Sequence, residues 1–202
     1  STRKESSAAS DVYKRQVENP HAEKSQIYPA IYPRDTDFIR GKVPMTKESV
    51  RRLSMEKLRI GADAVCFDIG AGTGSLAVEM GLAIRRQCGG GRVCAIERDE
   101  AALELIDANF RKFFGDWQGF CIIAGEAPEA LEGLEMPTHA FIGGSGGRMK
   151  EIVGWLLKAN PRVRIVANAI TLETVAEILE CMRMYGFEEG ELLQIQASPV
   201  EQ

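Results

Sequence analysis

The sequence predicts an α/β domain built on a Rossmann-like, doubly wound and mostly parallel sheet. Three observations carry that expectation. Short apolar runs of strand length alternate with longer amphipathic runs of helix length over most of the chain. The first apolar run ends in an acid, Asp68, followed by three alternating glycines, Gly70, Gly72 and Gly74. Residues able to do chemistry recur just after the later runs, and on such sheets ligands bind beyond the carboxyl ends of the strands.

Residues 1–24 are polar, without sustained periodicity, and read as disordered. Within them residues 7–16, SAASDVYKRQ, resemble translated sequencing-adapter sequence. Pro29, Pro33 and Pro44, with Tyr28 and Tyr32, mark an extended arm suited to lie across a domain or a neighbouring subunit, as in a homo-oligomer. The chain is therefore divided into residues 1–36, linker and arm, and residues 37–202, one domain. Thr46 reads as the cap of a helix that runs to Leu58. Ala64 to Phe67 reads as a buried parallel strand, and Ser75 to Gln87 as the helix that covers it. Further strands are expected at Arg92 to Glu97, Gly119 to Ala124, Thr138 to Ile142, Arg162 to Asn168 and Leu192 to Gln196. Helices are expected at Asp99 to Phe114, briefly after Pro128, at Arg148 to Lys158 and at Leu172 to Tyr185. This alternation implies right-handed crossovers.

The bulk numbers suit one soluble domain with a substantial core: 202 residues, 45% hydrophobic and 27% charged. A net charge of -4 disfavours nucleic acid or an anionic membrane as partner. No apolar run approaches the roughly 20 residues that span a bilayer, and the first residues do not resemble a signal peptide. The five cysteines form no C-x-x-C pair. Cys66, Cys94 and Cys121 fall inside expected strands, where free cysteine acts as a small hydrophobe, the usage of a cytoplasmic protein. His21 and His139 lie far apart without paired ligands, so no metal site is expected.

The candidate site residues sit at strand ends. Gly70, Ala71, Gly72, Thr73 and Gly74 form a turn that brings backbone amides close to a ligand, which only glycine allows without a Cβ penalty. The dinucleotide fingerprint G-x-G-x-x-G would need glycine at the Ser75 or Leu76 position, and neither is one. At the second strand end, Glu97 is placed to accept hydrogen bonds from both hydroxyls of a ribose. The third ends in Glu126 and Ala127, the fourth in Gly143, Gly144, Ser145, Gly146 and Gly147, small residues that leave room for a bulky ligand or its carboxylates. The fifth offers Asn168, Thr171 and Glu173, with Thr171 also a sensible helix cap.

The pattern D-x-G-x-G-x-G resembles the first motif of class I S-adenosylmethionine-dependent methyltransferases. In those enzymes the loop packs on the amino acid end of the cofactor, and an acid at the Asp68 position helps hold its ammonium. A narrower resemblance rests on Phe38-Ile39-Arg40, Val43-Pro44-Met45-Thr46-Lys47, DIGAGTG, AIER, GEAPEAL, FIGGSGG and NAITLET in one order. Over roughly Asp37 to Ala197 the chain is similar to the decarboxylating precorrin-6Y methyltransferases of cobalamin biosynthesis. The resemblance implies S-adenosyl-L-methionine as cofactor, with contacts on Thr46, Gly70 to Gly74, Glu97 and Ala127, and an acid or amide near Glu126 meeting the adenine amine. It implies methylation of carbon 15 of a corrin precursor, with or without cobalt, and loss of the ring C acetate carboxyl. The tetrapyrrole would lie against Gly143 to Gly147 and Asn168 to Thr174. Arg40 and Lys42 on the arm read either as partners for its carboxylates or as solvated surface charges. Relatives add a further antiparallel strand after the last one expected here. Some are fused to a partner methyltransferase domain for carbon 5. Two alternatives stay open: another class I methyltransferase with a small-molecule or protein substrate, and a non-catalytic cofactor-binding subunit.

Overall fold

The computed structural model describes residues 32–187 and 189–195. The expectations for residues 1–31 and for residue 196 lie outside the described residues. Among the described residues, five parallel strands form one sheet: β1 (Val65–Ile69), β2 (Arg92–Glu97), β3 (Phe120–Ala124), β4 (His139–Ile142) and β5 (Arg164–Ala167). Their spatial order is β3-β2-β1-β4-β5, so the order reverses beside β1. Among the same residues, five α-helices alternate with them: α1 (Glu48–Leu58), α2 (Ser75–Arg86), α3 (Glu100–Phe114), α4 (Met149–Ala159) and α5 (Leu172–Tyr185).

Strand β1 is buried along its whole length and feeds two cores. Val65, Phe67 and Ile69 pack with Met149, Ile152 and Leu156 of α4 on one face. Cys66 faces the other way, among Leu58, Leu76, Met80, Ile84 and Ile106. Period-two alternation with both faces covered is what a central parallel strand requires.

Three expectations are corrected. Thr46 does not cap α1: the helix starts after Lys47, with no side-chain cap bond. The Thr46 carbonyl instead accepts from the Arg51 guanidinium at 2.6 Å, and the Lys47 carbonyl opens the helix by accepting from the Val50 and Arg51 amides. Residues 192–195 form no strand; an alternating pattern makes a strand only where a ladder partner receives it, and Leu192, Leu193 and Ile195 are exposed instead. Cys94 and Cys121, read as free hydrophobes, occupy paired positions of β2 and β3 with Cα atoms 4.7 Å apart, and a disulfide joins them.

The described part of the arm, from Tyr32 onward, lies on its own domain. After one 3-10 turn, Asp35–Asp37, Phe38 is buried beside Val78 and Phe114, with its ring 5.1 Å from that of Phe113. Arg51 of α1 is wholly buried and gathers the arm. Its guanidinium donates to the Pro33 and Thr46 carbonyls and to the Asp35 and Glu79 carboxylates, and it stacks over the Phe38 ring. A buried cation with this many acceptors is satisfied rather than merely neutralised.

Candidate functional site

The reversal of strand order beside β1 opens a cleft at the carboxyl end of the sheet, where such folds hold ligands. Its walls come from four strand ends. Gly70 follows β1, Glu97 and Arg98 close β2, Glu126 and Ala127 follow β3, and Gly144, Ser145 and Gly146 follow β4.

The glycine loop is set by its neighbours. The Gly70 and Ala71 amides both donate to the Ile96 carbonyl, and the Gly72 amide donates to Glu97 Oε2 at 2.8 Å. Glu97 Oε1 takes the Arg98 and Asp99 amides at 2.8 and 3.0 Å. One carboxylate thus pins the loop after β1 to the start of α3. A carboxylate has about four lone-pair sites, so acceptor capacity remains for a ligand. Gly70, Gly72 and Gly74 all have positive φ, 71°, 55° and 73°. At Gly70 space demands glycine as well, since a Cβ would lie 2.8 Å from the Gly144 amide nitrogen.

Asp68 does not line the cleft. It is buried, and its Oδ2 accepts from the Ala77 amide at 2.9 Å. Gly74 holds the N-cap position of α2 and has no side chain to offer, so the carboxylate of Asp68 meets the orphan donor from the adjacent strand. Burial pushes the Asp68 carboxyl up to about 7; the Ala77 bond opposes this and the nearby Glu97 charge adds to it.

The loop after β4 is less open than its composition suggests. Gly143 and Gly144 press on the backbone of the β1 loop, with a Cβ at Gly143 falling 3.0 Å from the Gly70 carbonyl oxygen. Gly146 and Gly147 have φ of 58° and 81°, a conformation other residues rarely take. Gly144 is different: its φ is outside that region and a Cβ there meets nothing among the described residues within 4 Å. Its side faces open cleft.

Of the remaining expected residues, Thr46 is tied to Arg51 through its carbonyl, and Thr171 caps α5 by accepting from the Thr174 amide. Asn168 and Glu173 lie outside the cleft lining. Two functional residues were missed. Arg98 bonds Glu126 at 2.6 Å across the cleft, beside Gly146. Asn109 of α3 is fully buried; it accepts from the Ile39 amide at 2.7 Å and donates to the Ile39 and Thr73 carbonyls. It therefore ties the arm to the glycine loop. Nothing local marks a helical asparagine as such a clamp, but an asparagine on an otherwise apolar face of a helix was a signal that something polar meets it.

Among the described residues no group of histidine, cysteine and acidic side chains is arranged to hold a metal ion, and no helix is long and apolar enough to cross a membrane.

A parallel sheet of this order, with a glycine loop after its first strand and a carboxylate at the end of its second, is shared by dinucleotide-binding folds and class I methyltransferases, and the structural neighbours place this chain with the methyltransferases. The precorrin methyltransferase domain family matches residues 37–202, and the chain belongs to that family. It is 41% identical over 159 residues to a probable cobalt-precorrin-6B C(15)-methyltransferase (decarboxylating) of Sulfurisphaera tokodaii, covering 76% of this chain and 79% of that one. Among solved structures, precorrin-6y C5,15-methyltransferase of Geobacter metallireducens superposes with a TM-score of 0.69 at 35% identity, covering 79% and 82% of the two chains. The C-terminal domain of precorrin-6Y C5,15-methyltransferase of Rhodobacter capsulatus gives 0.70 at 32%, covering 85% and 90%.

Proposed function

We propose that this chain is an S-adenosylmethionine-dependent C-methyltransferase of cobalamin biosynthesis. Its reaction is methylation of carbon 15 of cobalt-precorrin-6B or precorrin-6Y with loss of the ring C acetate carboxyl. The observation that carries the reading is the meeting of the β1 glycine loop, Glu97, and the loops after β3 and β4 in one cleft. Family membership narrows it to corrin precursors.

The residues fit the cofactor. Close approach over Gly70, Gly72 and Gly74 suits its methionine end, Glu97 retains acceptor capacity for ribose hydroxyls, and the buried Ala127 beside the Glu126 carboxylate suits an adenine face and its amine. When bound, S-adenosylmethionine supplies a methyl on a sulfonium. The chain's own part is to fix geometry and exclude water, because such a transfer depends on in-line placement more than on a strong base. Asp68 and Asn109 set the loop from behind. The arm from Val43 to Thr46 lies against Gly72 and covers the loop. Gly144, Ser145 and Gly146 line the side where the macrocycle would enter, Gly143 and Gly147 flank them, and Asn168, Thr171 and Glu173 follow β5 outside that lining. A partner methyltransferase domain for carbon 5 is consistent with the Rhodobacter structure being one domain of a C5,15 enzyme.

The test is calorimetry with S-adenosylhomocysteine and with NAD, followed by turnover of cobalt-precorrin-6B. We expect heat from S-adenosylhomocysteine alone and a product that gains one methyl and loses one carbon dioxide. Binding of NAD without S-adenosylhomocysteine, or cofactor binding with no product, overturns the reading.

A further inference from the structure

The arm carries two cations whose role neither the fold nor the cofactor site absorbs. Arg40 and Lys42 are exposed, and among the described residues neither has a hydrogen-bond or ion-pair partner. Exposed charges on a loose loop would need no explanation. This loop is not loose. On one side Asn109 holds both the amide and the carbonyl of Ile39, Lys112 Nζ donates to the Asp37 carbonyl at 2.5 Å, and Phe38 is buried. On the other, Pro44 lies against the glycine loop, its carbonyl oxygen 3.2 Å from where a Cβ at Gly72 would be, and Arg51 holds Thr46. Between these anchors Gly41 rests on Leu105 of α3. Arg40 and Lys42 are thus presented from a fixed backbone, and Lys42 directly precedes Val43, which touches the cofactor loop.

The opposite side of the cleft has the other sign. In its lining Arg98 is already paired with Glu126; Arg148, which follows the loop after β4, is paired with Glu129 and Glu151. Glu177 Oε1 stands 3.9 Å from a Cβ position at Gly147, and its Oε2 is buried without a hydrogen-bond partner among the described residues. A ligand rich in carboxylates is repelled from that wall and attracted to the arm.

We infer that Arg40 and Lys42 form a docking subsite for carboxylates on the rim of the substrate, and so orient a polyanionic macrocycle with its acidic side chains toward the arm. The inference rests on the reading of the substrate as a corrin precursor. Preordering by the two anchors lowers the entropic cost of the contact, and the guanidinium and ammonium pair with carboxylates by charge-assisted hydrogen bonds.

The test compares wild type with the double variant Arg40→Ala/Lys42→Ala in the full chain. We expect KM for cobalt-precorrin-6B to rise at least tenfold, with kcat, S-adenosylhomocysteine affinity and melting temperature unchanged. The rise of KM with added salt should also flatten. The charge-preserving pair Arg40→Lys/Lys42→Arg should recover most of the loss. An unchanged KM in the double variant overturns the inference, and so does a parallel loss of S-adenosylhomocysteine affinity, which would make the arm a cofactor cover only. If wild type binds cofactor but does not turn over the corrin precursor, the functional reading fails. Fluorescence titration with a polycarboxylate porphyrin then decides the subsite by itself: equal affinity for wild type and double variant overturns it.

Discussion

Two glycines in the loop after β4, two residues apart, are expected to respond oppositely to the same methyl group. Gly146 has φ of 58°, and a Cβ there falls 3.0 Å from Glu126 Oε1. Left-handed backbone costs a non-glycine residue about 1–2 kcal/mol, and the flexible end of Glu126 can move aside at little further cost. Gly144 has open space and an ordinary φ, so Gly144→Ala should stabilise by about 0.4–1 kcal/mol by narrowing the unfolded ensemble. The two alanine variants should therefore differ by roughly 1.5–3 kcal/mol. At about 2–4 °C per kcal/mol for a domain of this size, their melting temperatures should separate by several degrees. Thermal unfolding by circular dichroism, with and without S-adenosylhomocysteine, measures it. Equal melting of Gly144→Ala and Gly146→Ala would refute the reasoning, because it would mean that backbone conformation is not what holds glycine at 146. The larger Gly144→Leu extends the experiment to function, since it fills open cleft without strain. It should melt normally and lose turnover of the corrin precursor.

Glu97→Gln leaves one acceptor oxygen where three backbone amides now converge, and turns a donor toward the rest. Losing charge-assisted bonds should weaken S-adenosylhomocysteine binding by on the order of 1.5–3 kcal/mol, read by calorimetry, with a lower melting temperature; unchanged affinity removes Glu97 from the cofactor site. Asp68 titrates in the other direction from most acids. Because its carboxyl is raised from 3.8 to about 7 in the folded chain, folding favours the neutral form. Its stabilising share is present at acid pH below the unfolded value and is lost as pH rises through about 7. Asp68→Asn keeps an oxygen for the Ala77 amide and carries no charge, so its advantage over wild type should grow from nearly nothing at about pH 4 to about 4 kcal/mol above about pH 8. Urea unfolding across that range checks it, and an advantage that does not change with pH refutes it.

What was legible in the sequence was what local pattern encodes. The strand and helix runs, the turn chemistry of Gly70 to Gly74 and the acid after β2 all follow from periodicity and residue type within a few positions. Relations across the chain were not. Asp68 looks like a ligand group in sequence because its partner, the Ala77 amide, becomes visible only once α2 folds back over β1. The glycines after β4 looked like room for a substrate, yet Gly70 and Gly143 are small because two loops touch each other. Asn109 and Arg51 drew no expectation from the sequence, because partners of theirs lie 70 and 18 positions away. Cys94 and Cys121, 27 residues apart, met only through the β2–β3 register. The pattern at residues 192–195 failed for the converse reason, since strand character needs a neighbour that no local window supplies.

The Arg51 hub bears on where this domain can be cut. Family similarity begins at residue 37, and an engineer trimming the chain for crystallisation or fusion would start there. Such a cut removes the Pro33 carbonyl and the Asp35 carboxylate, two of the groups that surround a guanidinium with no exposure to solvent. Stripping partners from a buried charge costs about 3–5 kcal/mol, a large part of the stability of a domain this size. The minimal folding unit is therefore longer than the homologous one, and a safe boundary lies upstream of Pro33.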